Sequence, residues 1–208
     1  MAALLMAPFM IQAQGVELTG FGGYVFGSTL QASGGDVHFL GNAQYGGMLS
    51  IPVSRVVDVD LIYNRIDTKA DVNVYGMYNS YMYDEVPLSI NYMHVGFTKN
   101  FRVKPVVSPF VSLNLGACMF YPKEDSSKDF TYQEAWFFSM GLDAGAKVYF
   151  SKRVGLRLQA QMLVPVQGAG FSMFVGSGGG GTGVSVYSTM VQFGFTGGLI
   201  FRMGKVQE

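Results

Sequence analysis

Between Trp136 and Phe150 the sequence WFFSMGLDAGAKVYF sorts its residues by parity. Even positions carry Trp136, Phe138, Met140, Leu142, Ala144, Ala146, Val148 and Phe150; odd positions carry Phe137, Ser139, Gly141, Asp143, Gly145, Lys147 and Tyr149. One face is wholly apolar and the other holds every polar residue. A helix, with its period of 3.6, cannot separate them this way, so the segment is a β-strand. It exceeds the ~5–6 residues of most globular strands and is long enough for the ~9–11 that a membrane-spanning strand needs.

The same split recurs along the chain. Val107, Val111, Leu113, Leu115, Ala117 and Met119 alternate with Ser108, Ser112, Asn114, Gly116 and Cys118. Leu156 to Val164 alternates with Gly155, Arg157, Gln159, Gln161 and Leu163, and Val191 to Phe201 with Gln192 to Arg202. Phe39, Ala43, Tyr45, Leu49 and Ile51 alternate with His38, Asn42, Gln44 and Ser50, read as one strand; Val57 to Tyr63 alternates with Asp58, Asp60 and Asn64. Glycines weaken the first strand, Val16 to Gly27. Leu88 to Phe101 alternates poorly, which suggests a register change at a bulge.

Eight strands result, with alternating connections. Short ones lie near Ser54-Arg55, Arg102-Val103-Lys104 and Ser151-Lys152-Arg153; long ones span about 28–37, 67–86, 122–133 and 167–186. Hydrophobic residues make up 49% and charged residues 13%, about half the usual soluble charge fraction, yet no apolar run reaches the ~18 residues of a transmembrane helix. Short turns at one end and long loops at the other fit a transmembrane antiparallel up-and-down β-barrel of eight strands, all-β, closed so that no sheet edge meets hydrocarbon. Both termini then fall at the short-turn, periplasmic end, and the long loops are extracellular. Tyr24, Phe26, Tyr63, Tyr121, Trp136, Phe138, Phe150 and Phe201 lie near strand ends, as interfacial girdles require.

The long loops differ in character. Asp67 to Glu85 is rich in tyrosine and suits an extended hairpin; PKEDSSKDFTYQ is charged and solvated; GSGGGGTG, Gly176 to Gly183, is a flexible run. The glycine run is no phosphate cradle, because the Lys-Ser/Thr partner of a P-loop is missing. Zero net charge argues against a nucleic-acid surface. One cysteine, Cys118, excludes a disulfide framework, and two separated histidines, His38 and His94, make zinc chemistry improbable. No cofactor is expected. The N-terminal MAALLMAPFMIQAQ reads as a signal peptide over residues 1–13, cut after Ala13 and missing a basic leader, with the barrel over 14–208.

A narrow eight-stranded lumen is filled by side chains. Its inward set is Glu17, Asp58, Asp60, Asp143, Lys147, Arg157 and Arg202, with Lys99 as a further base. Isolated charges there must pair or stay hydrated. Asp143 and Lys147, four residues apart on one strand, are separated by roughly 13 Å, so each needs a partner on another strand. Arg157 is the expected partner of Asp143. Glu17 and Arg202, on the two strands that close the barrel, are expected to meet. A structural salt-bridge plug is favoured over a gate or narrow pore.

The export segment ending IQAQG, the first strand LTGFGGYVFG, the proline-led VPLSINYMHVGF and the last strand TGGLIFRM carry a resemblance. The chain resembles the small eight-stranded outer-membrane β-barrel proteins of Gram-negative bacteria. It is similar in particular to the porin-like outer-membrane barrel proteins common in Bacteroidetes. The resemblance implies that Thr196, Gly198, Phe201 and Met203 form the C-terminal signal read by the barrel-insertion machinery, although Gly204 to Glu208 follow it. It further implies contact with outer-membrane lipid and lipopolysaccharide, and a monomer. The histidine–serine motif of the lipid A deacylase barrels is absent, since neither histidine has a serine two residues away. The expected role is structural or surface-exposed, without catalysis; the alternatives are a narrow porin for small solutes, hydrophobic ones included, and, further off, a soluble lipocalin-like binder or a lipid-modifying barrel enzyme.

Overall fold

The computed structural model describes residues 15–33, 35–75, 80–101, 106–122, 135–166, 171–175, 182–186 and 190–204. The N-terminal segment read as a signal, the loop PKEDSSKDFTYQ beyond Pro122, the turn at 102–105 and the glycine run at 176–181 lie outside them. Twelve strands are formed: β1 Val16–Val25, β2 Ser28–Ser33, β3 Gly35–Phe39, β4 Asn42–Pro52, β5 Val57–Tyr75, β6 Ser80–Asn100, β7 Val107–Pro122, β8 Ala135–Tyr149, β9 Val154–Val166, β10 Phe171–Val175, β11 Thr182–Val186 and β12 Gln192–Met203.

Eight of them, in the order β1, β4, β5, β6, β7, β8, β9 and β12, make an antiparallel wall, and β12 pairs back onto β1 to close it. The other four are two hairpins inserted in long connections, β2–β3 and β10–β11. The span 28–37, expected as loop, is thus a hairpin that adds β3 to the far end of β5. The span 67–86 is a continuation of β5 and β6 past the wall.

The ladder fixes the shape. Stepping across the strands from Trp136 passes Met119, Asn91, Arg65, Tyr45, Gly22, Gly197 and Leu158 and returns at Ala146, ten residues along β8. A shear of that size over eight strands tilts each by roughly 40° to the axis. On β8 the outward residues run from Trp136 to Val148 and therefore cover roughly 30 Å of height.

Parity sorts the wall as the sequence indicates. Leu142, Leu113, Leu158, Phe195 and Phe97 point outward and are about half exposed, while their chain neighbours Asp143, Ser112, Arg157, Thr196 and Thr98 point inward and are buried. Tyr24, Tyr121 and Trp136 point outward near the long-connection ends of their strands, Tyr45 and Tyr63 point outward further along β4 and β5, and Phe101, Phe150 and Phe201 lie at the short-turn side. Close strand approach needs glycine at Gly116, where an added Cβ would sit 2.0 Å from the Met93 carbonyl oxygen.

Two sequence expectations need correction. His38 and Phe39 do not belong to the strand that carries Tyr45: the chain breaks at Leu40–Gly41, and β3 turns Phe39 inward, 3% exposed, leaving His38 outside. The poor alternation of Leu88 to Phe101 is not a register change, because its pairing with β5 and β7 is continuous; the bulge lies further out, between Ala70 and Val72. Leu88, Ile90 and Tyr92 blur the pattern because they are apolar residues on the inner face.

Candidate functional site

The lumen has two storeys. At the short-turn end, Lys147 on β8 reaches across it. Its Nζ donates to Glu17 Oε2 of β1 at 3.0 Å and to Asp58 Oδ2 of β5 at 2.9 Å. Glu17 Oε1 also accepts from the Tyr149 hydroxyl at 2.8 Å and from Arg202 Nη2 at 2.6 Å, and Asn100 Nδ2 donates to Asp58 at 2.8 Å. Glu17 and Arg202 meet at closure because β1 and β12 pair them directly. The Arg202 guanidinium also covers the Tyr149 ring at 4.2 Å. Each buried charge here has several partners, the condition under which a buried ion pair is tolerated.

One layer higher, a side-chain relay runs round the wall from β5 to β8. The Thr98 hydroxyl donates to Asp60 and lies 2.8 Å from Ser112; Ser112 donates to Asn114 Oδ1 at 3.1 Å; Asn114 Nδ2 donates to Asp143 Oδ2 at 2.7 Å. Asp143 therefore finds an amide and not Arg157. The register explains the difference: Arg157 stands opposite Lys147, whereas Asp143 stands opposite Gln161. Arg157 gives its Nε to Gln159 at 2.6 Å, lays its guanidinium 4.0 Å from the Phe110 ring centroid and leaves both Nη atoms without a protein partner. The gap beside it, lined by Phe21, Gln159, Thr196 and Gly198, is too narrow to admit a water molecule. Lys99 does not join the lumen; it points outward over the Phe101 ring at 5.7 Å. Above the relay, Gln44 Oε1 receives Asn64 at 2.9 Å and Gln161 at 2.6 Å, tying β4, β5 and β9 together.

The upper storey is apolar. Val25, Val37, Phe39, Ile66, Leu88, Ile90, Phe120 and Met190 pack into one cluster with Tyr92 and Cys118, and Phe120 makes edge contacts with Phe39 and Phe137. Sequence reasoning did not anticipate this plug, although inward Leu88 and Ile90 were its visible trace. Beneath it, His94 Nε2 lies 2.6 Å from Ser139 Oγ. This pair joins β6 to β8, so no short-range motif could show it. Ser139 is 0% exposed and His94 5%, so both are buried among the described residues.

Of the four residues assigned to the insertion signal, Thr196 and Gly198 face inward while Phe201 and Met203 face outward, all on β12. Among the described residues no group of His, Cys, Asp and Glu is placed to hold a metal.

No protein-family model matches the chain, and no curated protein does. Solved structures of the same fold do. The outer membrane protein OprG of Pseudomonas aeruginosa aligns with TM-score 0.60 and 10% identity over 93% of this chain and 98% of its own. Neisserial surface protein A aligns with TM-score 0.56 and 9% identity over 90% and 97%. The outer membrane protease OmpT of Escherichia coli aligns with TM-score 0.51 and 7% identity over 91% and 95%. At these identities the likeness establishes the closed antiparallel barrel, a fold that in one of these proteins carries a protease.

Proposed function

We propose that the chain is an integral outer-membrane barrel with a structural or surface-exposed role and no chemistry of its own. The observation that carries this is the double closure of the lumen. The Lys147–Glu17–Asp58 tie blocks the short-turn end, and the cluster around Phe39 and Phe120 blocks the other. Membrane residence is supported by the outward belt, whose half-exposed Leu, Phe and Val far exceed what a soluble surface carries as a contiguous patch. In this reading the short turns and termini are periplasmic, and the hairpins extended from β5–β6 and β2–β3 are extracellular. Phe201 and Met203, with Thr196 and Gly198, serve the insertion machinery, and the tyrosine-rich edge meets lipopolysaccharide. The porin-like kinship of Bacteroidetes type rests on the sequence motifs alone. The His94–Ser139 pair is assigned to packing, since a hydrolytic dyad needs a substrate beside its nucleophile.

The test is electrical. Purified protein in planar bilayers is expected to give no stable single-channel steps. Removing the tie with Lys147→Ala together with Arg202→Ala is expected to give at most brief openings, because the apolar storey still seals the far end. Stable conductance of the unaltered chain would favour the narrow-porin reading.

A further inference from the structure

The charges are segregated along the barrel axis. Every described acidic side chain in the short-turn half, Glu17, Asp58, Asp60 and Asp143, points into the lumen and is buried. The outward and turn positions of that end carry only bases among the described residues: Arg55 in the β4–β5 turn, Lys152 and Arg153 in the β8–β9 turn, and Lys99 on the outside of β6. The other end mixes signs, with Asp36, Asp67 and Asp71 beside Arg65 and Lys69. The four bases are interleaved with exposed apolar side chains, Val53 and Val56 around Arg55, Phe101 beneath Lys99, and Phe150 beside Lys152. A turn made only for water would not expose Phe150 at 69% or Val53 at 58%. Exposed apolar side chains next to bases, with the Lys99 ammonium over the Phe101 ring, match a membrane interface, where an apolar stem stays in the apolar zone and the charge reaches the headgroups.

We propose that this basic ring binds the phosphate groups of anionic phospholipids in the leaflet at the short-turn end, giving the barrel a charge-selective annulus on that side only. The inference rests on the membrane reading above. Surface attraction of an anionic lipid is worth ~1 kcal/mol per Lys or Arg, about a five-fold preference for each base a headgroup touches. The ring is continuous with the apolar belt, which sets lipid above a soluble acidic partner as its occupant.

The chain has one tryptophan, Trp136, at the opposite edge, which serves as an internal control. The reporter for the ring is Phe101→Trp combined with Trp136→Phe. Both proteins are reconstituted in mixed phosphatidylcholine and phosphatidylglycerol vesicles in which one or the other lipid is brominated. The ring reporter is expected to show about a five-fold higher apparent affinity for phosphatidylglycerol than for phosphatidylcholine, and Trp136 none. The preference should vanish when Arg55, Lys99, Lys152 and Arg153 are all changed to Gln, with heat-modifiable gel migration confirming that the barrel is folded. Salt at 0.5 M should shrink it in the protein with its charges intact, which tests the idea without those substitutions. Equal quenching by both lipids at the ring reporter would overturn the proposal while leaving the membrane reading intact. So would a preference that survives loss of all four bases. Absence of quenching at both reporters would overturn the membrane reading itself.

Discussion

Lys147→Met is expected to destabilise the barrel by about 3–5 kcal/mol, the cost of removing one partner from a buried ion pair and stranding the others. The side chain is 2% exposed, and its Nζ is shared by Glu17 and Asp58 from two other strands. The methionine fills the volume of the stem but leaves Asp58 with Asn100 as its remaining bonded partner and Glu17 with Arg202 and Tyr149. Removing both members of the inner pair, Lys147→Met with Asp58→Asn, should recover much of the loss, because Glu17 keeps Arg202 and Tyr149 and no charge is then left without a partner. Urea unfolding in lipid vesicles, followed through Trp136, measures both. A loss under about 1 kcal/mol in the single variant would mean that the tie is not a structural plug.

The second large effect concerns the outside. Leu142 points outward, is 50% exposed and lies midway between Trp136 and Val148 on β8. Leu142→Arg is expected to cost about 2–4 kcal/mol, as for a cation at the bilayer midplane, and Phe201→Arg, near the edge, about 0–1 kcal/mol. The gradient is the signature, since a soluble barrel would accept arginine equally well at two exposed positions. The same unfolding assay in vesicles reads it, and equal costs at the two positions would count against a membrane belt.

These effects differ in how far the sequence announces them. The outside was legible, because period 2 makes every strand declare its own faces, and Leu142 beside Asp143 needs no neighbour to be sorted. The inner partners were not legible, because parity does not carry register. Arg157 is expected beside Asp143 because it is a base on another strand, but the ladder sets it against Lys147, and Asp143 takes its hydrogen bond from Asn114. Closure was the exception: Glu17 and Arg202 could be matched because the first and last strands must pair near their ends. Apolar lumen residues misled in a different way. Leu88, Ile90 and Phe39 are hydrophobic on the inner face, so a rule that equates apolar with outward reads them as an irregular strand or as the wrong face. Lys99 differs in the opposite direction, a base on the outward parity of β6, opposite Val57 and Val111, with its ammonium over the Phe101 ring. His94 and Ser139 meet only because β6 and β8 both face the same narrow lumen.

The central claim is that β8, and with it the whole wall, presents one parity to lipid and the other to a sealed lumen. Nitroxide labels placed one at a time from Phe138 to Ala146, in protein reconstituted in lipid vesicles, test it most directly. The account predicts that labels at 138, 140, 142, 144 and 146 collide with oxygen dissolved in the bilayer and not with a water-soluble nickel chelate, with oxygen collisions greatest near 142. Labels at 139, 141, 143 and 145 should meet neither reagent freely. Nickel collisions at the even positions, or a profile without alternation, would contradict it.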